Sequence, residues 1–474
     1  MHPRITNYMP YSALMNIFKV NQLNKSAFTL VLASMLLLFG SDASAQTNSV
    51  SPLSINGLGE TSFGITPAYL GMGGTGIGYA DRYTINVFNP AGYANLEYST
   101  LEMSGAHRTF RHRIISDSLD QDNYNTYFDY FGFGFKFADW IGGAFSLNPY
   151  AAKGYNVSVA DSSDDFGIYE YRSIGSGGFD QFTFGLALQP LPWFSIGGNA
   201  RYIFGEMETS NKTILADNRF LSVSKTNKTG ISDLTFDIGT QLQGDLDRFH
   251  FVAGAVYGFG GSMNARQIST QYSFINSGIV ETPVDTLFYN LSEEGSVVLP
   301  TSTGFGFGLS RTVENVPVNA WDLVVDYRRV NWQDYRDFTP FGGTPVQSAI
   351  AVSERGSVGL VMVPSYVIPQ LRRSTNYFAI SRYRFGYSRE KGQYYWQEPT
   401  TGPTYVTQEF NLGLTLPIIY RSLAPGEQKA SFLNISVGRG TRWSGVESDL
   451  KEDYWNLNFG ITLNDKWFQK FRYR

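Results

Sequence analysis

From residue 98 onward the chain repeats one pattern: a bulky apolar side chain at every second position, with glycine or a polar residue between. Phe131, Phe133, Phe135 and Phe137 are separated by Gly132, Gly134 and Lys136. Phe182, Phe184, Leu186 and Leu188 alternate with Thr183, Gly185 and Ala187. Phe305, Phe307 and Leu309 oppose Gly304, Gly306 and Gly308, and Trp455, Leu457, Phe459, Ile461 and Leu463 oppose Asn456, Asn458, Gly460 and Thr462. A period of two places successive side chains on opposite faces of a strand. A soluble sandwich or propeller turns its polar face outward and its apolar face inward. A membrane barrel does the reverse, with the apolar face in lipid and small or polar residues in the lumen.

The composition agrees with the second arrangement. Charged residues are 16%, aromatics are 16% and there are 49 glycines, whereas about 25% charge is usual in a soluble domain. The absence of cysteine excludes disulfides, thiolate metal sites and a cysteine nucleophile. Four histidines (His2, His107, His112, His250) leave little for a metal centre, and a net charge of -4 carries no nucleic-acid footprint. No Ser-His-Asp arrangement and no isolated acid pair points to an enzyme, and no cofactor is expected.

Lys19 and Lys25 precede a fourteen-residue apolar run, Ala27 to Gly40, and Ala43-Ser-Ala45 follows. This is the form of a cleaved secretory signal peptide spanning 1–45, with Met15 a plausible start. The run falls short of the ~20 residues a membrane helix needs, and no later segment reaches that length. A membrane protein without such helices must close a barrel, because lipid cannot satisfy exposed backbone groups.

The alternation predicts an all-β fold: a transmembrane antiparallel barrel of about 14 strands over residues 98–474. The strands fall near 98–110, 127–137, 142–153, 181–189, 193–205, 231–243, 247–260, 301–311, 320–330, 354–364, 377–388, 405–417, 430–439 and 454–463. Tight turns near Ala138-Asp139, Gln189-Pro190-Leu191-Pro192 and Gly244-Asp245-Leu246-Asp247 alternate with long external loops at 111–126, 154–180, 206–230 and 261–300. Short periplasmic turns and longer external loops are the rule in such barrels.

Residues 46–97 do not alternate. Gly71-Met-Gly73-Gly74-Thr-Gly76 matches G-x-G-x-x-G, but neither the preceding strand nor the following helix of a nucleotide site is present. Close backbone packing is the better reason: glycines allow a compact plug inside a crowded lumen. Leu70 to Gly76, then Ala80-Asp81, then Asn89-Pro90-Ala91-Gly92, resembles the N-terminal hatch of the FadL/OmpP1/TodX family. Asn464-Asp-Lys-Trp-Phe468 is similar to the terminus of its members from Bacteroidetes.

That resemblance implies a 14-stranded outer-membrane barrel carrying small hydrophobic compounds such as long-chain fatty acids, with the hatch plugging the lumen. It makes Asn89, Pro90, Ala91 and Gly92, with Gly71, Gly73, Gly74 and Gly76, the hatch and gate. It also implies an inward kink in the third strand, opening a lateral exit. Asn148-Pro149 falls in that strand, where proline cannot donate to the ladder; the alternative is that the strand simply ends there.

Arg201, Arg382 and Arg384 point into the lumen by alternation and are candidate anchors for a ligand carboxylate. Arg328 shares their face, as do Asp233, Asp237, Asp322 and Asp326, and Asp237 lies beside Arg201, so structural pairing competes with anchoring. Acidic clusters at Asp117, Asp120, Asp122 and at Asp161, Asp164, Asp165 lack EF-hand spacing and suit solvated surface. The expected partners are outer-membrane lipids, a small hydrophobic ligand and no nucleic acid. A monomer is expected. The competing function is a binding platform, a FadL-like barrel serving protein secretion or an outer-membrane complex, with 154–180 and 261–300 as docking surfaces.

Overall fold

The computed structural model describes residues 49–465 except 62–63, 166, 218, 277–279, 314–315, 345–350, 368–376, 393, 396–403 and 422–427. The expected signal peptide and Lys466, Trp467 and Phe468 of the aromatic terminus lie outside the described residues.

Nineteen strands among the described residues join in one antiparallel sheet. In chain order they are β1 (Glu60–Thr61), β2 (Ser99–Ile114), β3 (Leu119–Ala138), β4 (Ile141–Ala152), β5 (Tyr155–Ser163), β6 (Gly167–Leu191), β7 (Phe194–Leu215), β8 (Ser222–Leu246), β9 (Phe249–Gly258) and β10 (Gly261–Asn276). There follow β11 (Glu281–Leu299), β12 (Ser302–Val313), β13 (Val316–Val330), β14 (Arg336–Pro340), β15 (Ser353–Met362), β16 (Arg382–Lys391), β17 (Val406–Arg421), β18 (Gln428–Trp443) and β19 (Leu450–Asp465). Fourteen of them form the wall, and pairing of β19 with β2, from Leu450↔Ile114 to Asp465↔Ser99, closes it. Closure at this seam leaves no free edge between the first and last wall strands.

The burial pattern is inverted relative to a soluble protein. Phe182 and Phe184 are 42% and 45% exposed, while their neighbours Thr183 and Ala187 are 6% and 0% exposed. Trp140, Trp193 and Phe249 sit beside the tight turns, where an interfacial girdle is expected. At one of these turns Asp247 adopts a positive φ of 54°, a conformation that Asp tolerates better than most residues.

The long connections at the opposite end, the crown, differ from the expected loops. Residues 111–126, 154–180, 206–230 and 261–300 are largely strand: β6 pairs with β7 up to Tyr169↔Leu215, β7 with β8 up to Thr213↔Val223, and β10 with β11 along its length. Beyond the apolar band both faces of these ribbons meet water, so the alternation that marks a strand in lipid disappears while the hydrogen-bond ladder continues. The expected strand at 377–388 also starts later, because Tyr377–Ala379 forms a 3-10 turn before β16.

Residues 49–98 thread the lumen. They include a short helix α1 (Pro67–Leu70), a 3-10 turn at Pro90–Asn95 and the two-residue strand β1. β1 pairs not with another luminal strand but with Ala151 and Ala152 of β4.

Candidate functional site

The site is the contact between this luminal segment and the inner wall. A methyl group added at wall residue Gly386 would lie 1.9 Å from the backbone nitrogen of Gly73, and one at Gly308 2.2 Å from the carbonyl oxygen of Gly78. At Gly413 the intruding atom would be the Cα of Gly71, at 2.9 Å. The glycines of the wall therefore do more than line a polar lumen. They leave a belt of bare backbone onto which the backbone of the segment fits.

The glycine-rich turn is fixed by a carboxylate. The amides of Gly76 and Ile77 donate to one oxygen of Asp326 at 2.6 and 2.8 Å, and that of Gly78 donates to the other at 3.3 Å. Successive amides that converge in this way form an anion-binding nest, and its occupant is the protein's own side chain. Gly73 and Gly74 both adopt a φ of 70°, which glycine takes without strain. Beside Gly74, Arg355 donates to the carbonyl of Gly73 at 3.0 Å.

Asn89 begins the 3-10 turn and uses both ends of its amide. Its oxygen accepts from the amide of Ala91 at 3.1 Å, and its nitrogen donates to the carbonyls of Ile77 and Thr240 at 3.1 and 3.0 Å. Pro90 and Ala91 rest on wall residue Gly197, and Gly92 packs against Asn86. Farther along this turn the Tyr93 hydroxyl donates to Asn199, which donates to Asp237. The Asn-Pro-Ala-Gly element is thus joined to β7 and β8, and the glycine-rich turn to β12, β13 and β16.

The three candidate anchors stand in three different places. Arg201 Nε lies 2.6 Å from Asp237 Oδ1, a close contact of opposite charges without hydrogen-bond alignment. It borders a cavity of about 130 Å³ above the segment, which also touches Phe88, Asn148, Tyr150, Arg328 and Trp332. Arg382 pairs with Asp81 at 3.3 Å and lies over the rings of Tyr83 and Phe432. It borders a cavity of about 370 Å³ at the turn end. Arg384 is buried between segment and wall, where it donates to Thr415. Of the inward acids, Asp322 accepts from Tyr79 and Asn319, and Asp233 accepts from the amide of Asn264.

Near the crown a second group of charges holds the start of the segment. Glu60 lies 3.2 Å from Arg442 and 3.4 Å from Arg108, and Arg442 also meets Glu452 at 3.0 Å. Ser49 donates to Glu60 and Ser51 to Glu452. Burial pushes the Glu60 carboxyl up, but Arg442 and Arg108 outweigh it and hold it below its ordinary value. Sequence reasoning passed over this group. Glu60 lies outside any alternating run, and Arg442 and Glu452 lie at strand ends beyond the predicted bounds.

Asn148 and Pro149 mark a break in the wall. β4 follows β3 only as far as Leu147↔Phe131. Beyond Leu147 its other edge still follows β6, with a register shift between Pro149 and Ala151. On the β3 side, β1 of the luminal segment takes over at Ala151 and Ala152. β3 meanwhile continues to the crown paired with β2 alone. The wall is therefore split between β3 and β4 from mid-height, beside the 130 Å³ cavity that Asn148 lines.

A family model described as BamG matches residues 28–474. The chain belongs to the BamG family. Its fold is shared with solved structures at low identity. A FadL homologue of Pseudomonas aeruginosa is 11% identical, with 86% of this chain and 99% of the other covered and a TM-score of 0.52. The Pseudomonas putida toluene transporter TodX is 14% identical, with 85% and 99% covered and a TM-score of 0.52. The Ralstonia pickettii toluene transporter TbuX is 10% identical, with 84% and 98% covered and a TM-score of 0.50. Comparison with curated proteins found no match. The BamG family thus bears a different name from the one its glycine-rich segment resembles, and the likeness to FadL and TodX is one of fold.

Proposed function

We propose that this protein is an outer-membrane channel for small hydrophobic compounds, exported with a cleaved signal peptide, in which residues 46–97 serve as the hatch. The split between β3 and β4 beside the luminal cavity carries the reading. A hydrophobic molecule resting there lies against Phe88, Tyr150 and Trp332 as well as the Arg201–Asp237 pair, and has a sideways route into the bilayer. The cavity of about 130 Å³ is close to the ~150 Å³ that accommodates a benzene ring. It suits a monoaromatic compound, or the leading part of a long-chain fatty acid with the remainder in the split. The similar solved structures described as toluene transporters point to the same cargo class. Arg201 would meet a carboxylate only by sharing it with Asp237, which favours neutral cargo over fatty acids.

The gate in this reading is the Asn89-Pro90-Ala91 element. Pro90→Gly should change uptake of radiolabelled toluene or oleate by at least threefold while the barrel keeps its heat-modifiable migration. Equal uptake of both compounds by variant and parent would argue against the gate.

A second reading is favoured by the family assignment and by the filling of the lumen. As a BamG-family member whose segment is seated on bare wall backbone, the chain suits a binding platform or a subunit of an outer-membrane complex. Its crown ribbons extend beyond the apolar band and expose Tyr124, Ile168, Leu287 and Tyr289, a surface suited to a protein partner.

A further inference from the structure

We infer that Asp326 is the latch that holds the luminal segment closed, with the amides of Gly76, Ile77 and Gly78 as its catch. The inference rests on reading the segment as a hatch. It does not depend on what the hatch admits.

The segment is held in some places by shape and in others by charge. The glycine belt supplies shape alone: bare backbone against bare backbone, which can separate without leaving an unpaired charge. The nest is different. Three amide donors and one carboxylate meet inside the lumen, with Asp326 5% exposed, and each would be left without a partner if the turn lifted away from β13. The carbonyls of the turn are held as well, by Asn86 of the segment and by Gln241 of the wall. Asn86 donates to the carbonyls of Gly76 and Tyr79 at 2.8 Å each, and Gln241 of β8 donates to those of Ile77 and Tyr79 at 3.1 Å each. These contacts hold the carbonyls of the turn toward Asn86 and Gln241 while its amides meet Asp326. The nest is therefore kept preformed from both sides, and Asp326 is the charged acceptor that the wall supplies to its amides.

Asp322, four residues earlier on β13, is the natural contrast. Among the described residues it meets the segment through the side-chain hydroxyl of Tyr79 at 3.3 Å and through no backbone amide. Removing its charge weakens one side-chain contact to the segment, that of Tyr79, and leaves the glycine-rich turn in place.

Asp326→Asn keeps the shape of the side chain but replaces one acceptor oxygen with a donor. The retained amide oxygen can still accept from Gly76 and Ile77, but the charge is gone and the new donor faces the amide of Gly78, so the nest is weakened without removing bulk. The chain has no cysteine, so a single reporter can be placed at Met72, which is 0% exposed and packed between segment and wall. In intact cells carrying Met72→Cys, the labelling rate with a membrane-impermeant maleimide reports lifting of the segment.

Adding Asp326→Asn should raise that rate at least tenfold, and adding Asp322→Asn should change it less than twofold. Heat-modifiable migration verifies that each barrel is folded, and Asp326→Ala repeats the test if Asp326→Asn is not. An unchanged rate in a folded Asp326 variant, or equal acceleration by both substitutions, overturns the latch. Toluene and oleate uptake in the same cells separates the two claims: faster labelling without altered uptake leaves the latch standing and removes the channel reading.

Discussion

A side chain at Gly386 has nowhere to go. The atoms it would meet are the amide nitrogen and Cα of Gly73 and the carbonyl carbon of Met72, all backbone and all within 2.6 Å. Gly386→Ala should therefore loosen the seating of the segment by about 1–3 kcal/mol, the usual cost of overpacking, without disturbing the strand. The expected signature is earlier proteolysis of the segment at an unchanged barrel melting temperature. Glu60 makes a separate prediction about acid. Its carboxyl is held below its ordinary value by Arg442 and Arg108 against the opposing effect of burial. Its contribution to attachment is therefore complete above the ordinary carboxylate value of about 4.3 and is lost only as pH falls below that through the lowered pKa. Limited proteolysis between pH 7 and 3 should find the crown end of the segment protected at pH 5 and released only in stronger acid. Glu60→Gln should abolish that dependence and leave the segment weakly held throughout. Residues of this kind were partly legible in the sequence. Asp326 and Arg201 could be placed in the lumen by counting along alternating strands, and Asp237 beside Arg201, but the partners of Asp326 could not, since Gly76–Gly78 and Asp326 are some 250 positions apart in the chain.

At the scale of elements, lipid decides what a sequence reveals. Strands in the apolar band carry a residue contrast at every step, so the tight turns and fourteen wall strands emerge from the alternation with shifts of a few residues at most of their inner ends. The crown ribbons, which meet water on both faces, looked like loops for the same physical reason. β4 is the element with the most at stake. Pro149 lacks the amide that a neighbour would accept, and β4 leaves β3 just before it. Replacing Asn148-Pro149 with Thr-Val restores a donor and two residues that favour strands. If the split is the exit, the substituted strand should zip onto β3, lower uptake at least fivefold and slow amide exchange at Tyr130 and Asp129. Full uptake accompanied by slowed exchange would show that the split closes without consequence, and the cargo would then have to leave by another path.

At the scale of the whole molecule, two readings compete because the same lumen serves both. A channel needs the segment to move, and the contacts that resist movement are numerous and polar: the Asp326 nest, the Asn89 bridges, the Arg382–Asp81 pair and the Glu60 group. A platform needs the segment to stay, and those contacts then act as a rigid filling behind a crown that presents exposed apolar side chains. The readings differ in what the folded protein keeps when it is removed gently from its membrane. A channel with a cavity of about 130 Å³ beside a lateral split should retain a small hydrophobic molecule, seen by native mass spectrometry as an added mass of hydrocarbon or fatty-acid size. That mass should disappear on closing the split with the β4 substitution. A platform should instead retain a protein subunit, lost when the exposed crown residues Leu287 and Tyr289 are replaced by serine and unaffected by the β4 change. Retention of both, each lost through its own substitution, would mean that the crown and the lumen act independently. The segment would then be a movable hatch in a barrel that is also a subunit, held by the contact of Asp326 with Gly76–Gly78 whether or not a partner sits on the crown.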